Sequence, residues 1–148
     1  MASSDAQSSI TYVNTTGLIS SKPSPKGFQG EEYAAHFLQK QGYKIIERNW
    51  HKRYAELDIV ALDHDCLVFV EVKSRFGEQF DKPEEAMTPW KIKALTRAAY
   101  MYKAAHPELP DFMRMDFVGI TYKNGEVVDI NLIKNITGWY NQTLVFRR

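Results

Sequence analysis

The chain has 148 residues, of which 44% are hydrophobic and 25% charged, a composition typical of one globular domain and unlike collagen-like, disordered or disulfide-rich proteins. Its formal net charge is +1, so it lacks the strong basic excess of many nucleic-acid-binding proteins, and any phosphate-binding surface must be local. Cys66 is the one cysteine, which excludes an intramolecular disulfide and a thiolate zinc site.

The two ends of the chain differ from its middle. Residues 1–26 are rich in serine and threonine without periodicity, which predicts a flexible N-terminal arm, followed by a domain at 27–136 and a tail at 137–148. The start lacks a basic segment followed by an apolar run, and no apolar stretch is long enough to cross a bilayer. We therefore expect a cytoplasmic protein with no membrane partner.

The domain begins with an amphipathic helix. The pattern changes at Gly27, and the helix that follows ends at the glycine of Gln41-Gly42, with Glu31 and Glu32 in its first turn. Three predicted strands follow at residues 43–50, 56–62 and 66–73.

A second helix follows these strands. Thr88 is a predicted N-cap before Pro89, and an apolar stripe runs to a helix end near His106. Two more strands, at 113–122 and 127–133, join at Asn124-Gly125, a pair that favours a tight hairpin turn. The predicted order is α-β-β-β-α-β-β.

The third strand carries two charges on one face. Side chains alternate along a strand, so Glu71 and Lys73 project with Leu67 and Phe69. If residues 63–66 form a four-residue loop, Asp58 lies opposite Glu71, whereas a three-residue loop would set Asp58 opposite Val70. We prefer the first register because it makes one coherent apolar face and gathers the polar groups at one end.

Asp58 and Glu71 are then cross-strand neighbours, and two opposed carboxylates destabilise a sheet unless a cation offsets their charge. Mg²⁺ favours a pair of carboxylates completed by water and phosphate oxygens. Lys73 is suited to orient an attacking water or to stabilise developing phosphate charge.

Several short motifs, in this order along the chain, resemble one protein family. They are Gly30-Glu31, Gly42-Tyr43, Arg48-Asn49, Glu56-Leu57-Asp58, the run from Phe69 to Arg75, and Arg114-Met115-Asp116. Together they resemble the bacterial YraN-like family within the PD-(D/E)XK nuclease superfamily, which is similar to archaeal Holliday-junction resolvases.

The resemblance implies an α/β fold with a restriction-endonuclease-like core, in which helices flank a mixed central sheet. It also implies Glu31, Asp58 and Glu71 as acidic site residues, Lys73 as the catalytic lysine, and Mg²⁺ or Mn²⁺ held by Asp58 and Glu71. Structured or branched DNA is the implied substrate, and a homodimer is a possible assembly.

Simpler interpretations remain open for these residues. Glu31 also suits a first-turn acid that complements the helix dipole, and Glu71 with Lys73 also suits a solvated strand end. Asp116 is interpreted as structural, and Trp50, Trp90 and Trp139 as packing residues.

The second helix is basic, since it holds lysines and an arginine but no acid between residues 90 and 106. The candidate nucleic-acid contacts are Lys91, Lys93 and Arg97, together with Arg75 of the third strand; a plain solvated face is the alternative. For the whole protein, the alternatives to a nuclease are a catalytically silent nucleic-acid-binding module and a protein scaffold.

Overall fold

The computed structural model describes residues 26–77 and 83–137. In chain order, the elements are α1 (Lys26–Lys40), β1 (Lys44–Lys52), β2 (Ala55–Asp63), β3 (Cys66–Phe76), α2 (Pro83–Ala86), α3 (Pro89–Ala105), β4 (Met113–Lys123) and β5 (Glu126–Ile133). The predicted order α-β-β-β-α-β-β is confirmed, with the four-residue α2 added before α3.

The five strands form one sheet in the order β1-β2-β3-β4-β5. Neighbouring strands are antiparallel except β3 and β4, which are parallel. A parallel pair needs a crossover, and α3 lies in the connection between β3 and β4. The sheet is therefore mixed, as expected.

Each face of the sheet carries its own apolar core because side chains alternate along the strands. Val68 and Val70 of β3 pack on the same side as α1, in a cluster with Leu38. Leu67 and Phe69 point to the opposite side and pack in a cluster with Tyr102 of α3. The helices thus cover opposite faces, and the face that carries Phe69 belongs to α3.

The β2–β3 register is the one predicted. Val60 pairs with Phe69 and Leu62 with Leu67, and the ladder runs from Asp63↔Cys66 to Ile59↔Val70. The predicted Asn124-Gly125 turn is also confirmed: φ is 53° at Asn124 and 79° at Gly125, which is the left-handed backbone that such a hairpin requires.

The start of α3 agrees with the prediction, whereas the start of α1 does not. Thr88 caps α3, since its Oγ1 accepts a hydrogen bond from the Lys91 N–H at 3.2 Å, and Pro89 is the first helical residue. Both predictions are confirmed. For α1, the prediction that Glu31 and Glu32 lie in the first turn is wrong, because the helix begins at Lys26 and has no acid in that turn.

The predicted arm at 1–26 and tail at 137–148 lie outside the described residues, apart from Lys26 in α1 and Thr137, so these boundaries stay predictions. Within the described part, no helix has both the length and the apolarity needed to cross a membrane.

Candidate active site

Asp58 and Glu71 meet at the end of the β2–β3 ladder. The last backbone pair is Ile59↔Val70, so Asp58 stands just beyond it, and its Oδ2 accepts a hydrogen bond from the Val72 N–H at 2.9 Å. The carboxyl groups of Asp58 and Glu71 also lie close enough to share a proton. The structure therefore brings together the two acids that the register prediction made neighbours.

Glu71 is the more buried of the site's acids, with 11% of its side chain exposed. Burial, the hydrogen bond to Asp58 and the negative charge of Asp58 raise the pKa of Glu71 to about 8, against the weaker effect of Lys91. At neutral pH, Glu71 thus retains the proton that allows two carboxyl groups to share a hydrogen bond.

Lys91 of α3 lies over this pair. Its Nζ is 3.2 Å from Glu71 Oε2, an ion-pair distance, but the contact lacks hydrogen-bond geometry and leaves that buried oxygen without a donor among the described residues. Burial lowers the pKa of Lys91, but the charges of Glu71, Asp58 and Glu56 outweigh this effect and raise it. Lys91, a predicted nucleic-acid contact, lies against Glu71, one of the candidate catalytic acids.

Glu31 approaches the same acids from α1. Its pKa is raised to about 6 by partial burial and by the charge of Asp58, against a hydrogen bond from Asn49 and the charge of Arg48. Because Glu31 lies beyond the first turn of α1, the helix-dipole interpretation does not apply to it. Its electrostatic coupling to Asp58 links it to the site.

Lys73 lies two residues after Glu71 on β3, so strand alternation puts both on the same face. Its side chain is exposed and makes no ion pair with any residue that the structure describes. Lys73 is therefore available to solvent beside the acids, whereas Lys91 is the cation in contact with them.

The other candidate nucleic-acid contacts lie further out. Lys93 and Arg97 are exposed on α3, and their spacing of four residues puts them on one side of the helix. Arg75 is half-buried near the end of β3. These three residues do not share the contact that joins Lys91 to Glu71.

The donor set decides which metal suits the site. The described residues contain no group of three or more His, Cys, Asp and Glu arranged as metal ligands. Asp58 and Glu71 nevertheless provide two adjacent carboxyls, and Glu71 Oε2 is a buried oxygen that accepts no hydrogen bond. This set fits Mg²⁺ or Mn²⁺, which are bound by one or two carboxylates and complete their shell with water and phosphate.

Comparison with known proteins identifies the family. Residues 30–120 match the family described as "Uncharacterised protein family UPF0102". The chain belongs to the UPF0102 family. This finding supports the predicted YraN-like family, and the matched UPF0102 region contains Glu31, Asp58, Glu71 and Lys73.

Curated UPF0102 proteins align with most of this chain. One from Syntrophomonas wolfei is 48% identical over 100 residues, covering 68% of this chain and 87% of that protein. One from Caldicellulosiruptor saccharolyticus is 42% identical over 111 residues, covering 74% and 93%. One from Chlorobium phaeobacteroides is 40% identical over 113 residues, covering 74% and 90%.

Asp116 is a UPF0102-motif residue with a structural environment. It is fully buried and accepts hydrogen bonds from Tyr43 Oη at 2.7 Å, Arg114 Nε at 2.8 Å and the Asn135 N–H at 2.9 Å. It pairs with Val70 and therefore points to the α1 face, away from the Glu71 face. This placement agrees with the structural interpretation.

Sequence reasoning missed three features of the site: the hydrogen bond from Asn49 to Glu31, the charge of Glu56 near Lys91, and the contact of Lys91 with Glu71. The Arg48-Asn49 motif was a signal for the first, and Asn49 has a positive φ of 54°. The third depends on how α3 packs over the sheet, which local pattern does not encode.

Proposed function

We propose that this UPF0102 protein is a metal-dependent endonuclease that hydrolyses nucleic-acid phosphodiesters, with structured or branched DNA as its substrate. The observation that carries the proposal is the partly buried Asp58–Glu71 carboxyl pair, in which the buried Glu71 Oε2 has no hydrogen-bond donor among the described side chains and backbone groups. Such a pair is costly unless it serves to bind a cation.

Each residue of the site has a role in this proposal. Asp58 and Glu71 hold Mg²⁺ or Mn²⁺, which when bound polarises a phosphate and lowers the pKa of water. Glu31 orients water by accepting a hydrogen bond, and exposed Lys73 positions the nucleophile and stabilises charge that develops on the phosphate.

Lys91 adds a step to this proposal. In the described state, its ammonium group balances part of the charge of the acids. A cation held by Asp58 and Glu71 would take over this charge balance, and Lys91 would then be available to contact the phosphate, with Lys93, Arg97 and Arg75 contacting the backbone further along. Binding of the cation and binding of the nucleic acid then favour each other.

The test is a cleavage panel of linear, flap, four-way and single-stranded substrates with Mg²⁺, Mn²⁺ or EDTA. We expect cleavage that requires the metal and falls on the order of 100-fold or more in Glu71→Gln, Asp58→Asn and Lys73→Ala. Asp129→Asn and Lys44→Ala, which change exposed residues of β5 and β1, are matched controls that should cleave normally.

The catalytic proposal fails if the wild type and all three site variants give the same metal-independent background on every substrate. Cutting both strands of a four-way junction requires two sites, so the proposal includes a homodimer on that substrate. Light scattering of the complex with the junction measures this directly, and a single copy per junction that still makes paired cuts contradicts the dimer.

A catalytically silent nucleic-acid-binding module is the second candidate. It is favoured by the position of Lys91, whose ammonium group lies 3.2 Å from Glu71 and near the charge of Asp58 without a metal, and by the lack of a three-ligand group in the described part of the chain. Salt-sensitive binding with no cleavage in either metal, unchanged in Glu71→Gln, is its expected result.

A further inference from the structure

A cleft of about 360 Å³ opens between the turn of the β1–β2 hairpin and α3. We call it the hairpin cleft; it is lined by residues 52–55 of the hairpin and by Ala94, Arg97 and Met101 of α3. Its volume falls within the ~300–1,000 Å³ typical of sites for small ligands. It is separate from the proposed metal site, and Arg97 is the predicted nucleic-acid contact that lines it.

The hairpin contributes two cations and an aromatic ring. Lys52 pairs with Ala55, so Arg53 and Tyr54 form a two-residue turn, with a φ of 56° at Arg53. This tight turn holds Tyr54 at the tip, where its side chain is fully exposed. An exposed tyrosine at a rigid turn presents a ring whose ordering on binding costs little conformational entropy.

The helix contributes the opposite wall. Ala94, Arg97 and Met101 are spaced three and four residues apart, so they form one stripe along α3. The stripe continues back to Trp90, which lies four residues before Ala94. The side chain of Trp90 is 80% exposed. The prediction that Trp90 is a packing residue is therefore wrong, whereas Trp50 does pack, edge-on against Tyr102.

The charges of the hairpin cleft are unbalanced. Lys52, Arg53 and Arg97 make no ion pair with a carboxylate in the described ranges, and α3 contains no Asp or Glu from Pro89 to Ala105. An anion is therefore the complementary partner. The alanine and methionine side chains and the exposed Tyr54 ring favour a flat, apolar group beside that anion, and a nucleotide combines both.

The hairpin cleft lies a short distance from the carboxyl pair. Lys91, which contacts Glu71, precedes Arg97 by six residues, or about 9 Å along a helix rising ~1.5 Å per residue. On β2, Ala55 precedes Asp58 by three residues, or about 10 Å at ~3.3 Å per residue. Both routes put the hairpin cleft about 10 Å from the carboxyl pair along the chain, a separation that a few nucleotides of one nucleic-acid strand can span.

We propose that the hairpin cleft binds an unpaired nucleotide a few positions from the phosphodiester at the Asp58–Glu71 site, with its base stacked on Tyr54. The occupant is unpaired because the base faces of a duplex are covered by their neighbours and are closed to an aromatic ring. The proposal rests on the proposed function for its substrate class, and it defines that class further as nucleic acid with a single-stranded segment.

The test measures binding without cleavage. Fluorescence anisotropy in EDTA compares a short labelled oligothymidylate with a blunt duplex of equal length. We expect Tyr54→Ala to weaken binding of the single strand about 5- to 100-fold, the loss of one base–aromatic stack, and to leave the duplex unchanged. Tyr54→Phe should retain binding, and Arg97→Gln should reduce the log–log salt slope by about 0.7.

Phe112→Ala is the matched control, because Phe112 is an exposed aromatic at the far end of β3 from Glu71, beside Leu67. Equal single-strand affinities of Tyr54→Ala, Phe112→Ala and wild type would overturn the proposal. So would an equal loss of single-strand and duplex binding, or displacement of the oligonucleotide by polyglutamate of the same charge as effectively as by unlabelled oligonucleotide.

The same variants separate this proposal from the catalytic one. Tyr54-dependent binding by a wild type that cleaves nothing supports the hairpin cleft and contradicts the nuclease. Metal-dependent cleavage, together with single-strand binding that is unchanged in Tyr54→Ala, supports the nuclease and overturns the proposed nucleotide site in the hairpin cleft. Glu71→Gln should lose cleavage while keeping the full Tyr54 effect on binding.

Discussion

At the scale of single residues, Glu71 shows how burial and charge combine. Its side chain lies beside Asp58, and the nearest cation, Lys91, makes an ion pair without a hydrogen bond. Two adjacent carboxyls in such surroundings cannot both ionise cheaply, so one retains a proton until a stronger positive charge arrives. The stability of the metal-free protein must then depend on pH.

The sign of that dependence follows from where Glu71 ionises. Its pKa is near 4.5 in the unfolded chain and is raised to about 8 in the folded protein. Between these values, the folded protein holds a proton that the unfolded chain has released, so the free energy of unfolding falls as the pH rises. At about 1.4 kcal/mol per pH unit, we expect a loss of about 1–2 kcal/mol between pH 6.5 and 8.

Urea denaturation in EDTA across this range measures the loss. His36 adds a smaller change of opposite sign near pH 6.5, because burial lowers its pKa to about 4 in the folded protein whereas the unfolded residue is still partly protonated there, and this change is common to wild type and Glu71→Gln. Glu71→Gln, which cannot ionise, should flatten the profile, and the exposed control Glu126→Gln should not. Parallel profiles for wild type and Glu71→Gln would show that Glu71 ionises normally.

At the scale of elements, α1 is held close to β3 at Gly30. A Cβ on Gly30 would overlap Ser74 Oγ, whereas Ser74 Cβ and Ile120 Cδ1 would lie at 3.6 and 3.8 Å, within ordinary contact. The hydroxyl of Ser74 is thus the single obstacle to a side chain there. This close approach holds the helix that carries Glu31 against the strand that carries Glu71.

A pair of substitutions tests that approach. Gly30→Ala alone should destabilise the protein by about 1–2 kcal/mol, because the Ser74 hydroxyl must move in a packed interface. In a Ser74→Ala background, the same change should stabilise by up to about 1 kcal/mol, since alanine is the better helix former. Thermal unfolding of the four proteins gives the coupling, and additive effects would contradict the close approach.

The sequence predicted the bounds and register of some elements better than those of others. The β2–β3 register was predictable because a one-residue slip would send every apolar side chain to the wrong face. The start of α1 was placed too late for the role given to Glu31, because the apolar pattern that located the helix begins only at Ala34, whereas the helix begins at Lys26. The four residues of α2 are too short for periodicity.

The candidate site was predictable only in part. Asp58 and Glu71 are joined by local hairpin pairing, which sequence pattern encodes. The contact of Lys91 with Glu71, and the hairpin cleft between Tyr54 and Arg97, depend instead on how α3 lies over the sheet. The basic side chains of a helix considered alone are equally compatible with exposure to solvent and with binding to phosphate. The contacts of α3 therefore follow only from how it packs on the sheet.

At the scale of the whole molecule, the sheet separates two polar centres. Val70 pairs with Asp116, yet Glu71, the next residue of β3, points to the α3 face while Asp116 points to the α1 face. Asp116 joins Tyr43, Arg114 and Asn135, and Arg114 continues to Asp63 at 2.7 Å. One centre is the proposed cation site, and the other connects β2, β4 and the residues that flank the sheet.

This separation predicts that the polar centre around Asp116 contributes to the stability of the protein and not to cleavage or nucleic-acid binding. Asp116→Asn should lower the free energy of unfolding by about 3–5 kcal/mol, because it leaves Arg114 short of its buried partner. Tyr43→Phe removes one of the same hydrogen bonds and should cost about 1–2 kcal/mol. At a temperature where both variants are folded, metal-dependent cleavage and oligothymidylate binding should match the wild type. Loss of cleavage by folded Asp116→Asn would show instead that the two faces are coupled through Val70 and Glu71, and Asp116 would then be a positioning residue of the site.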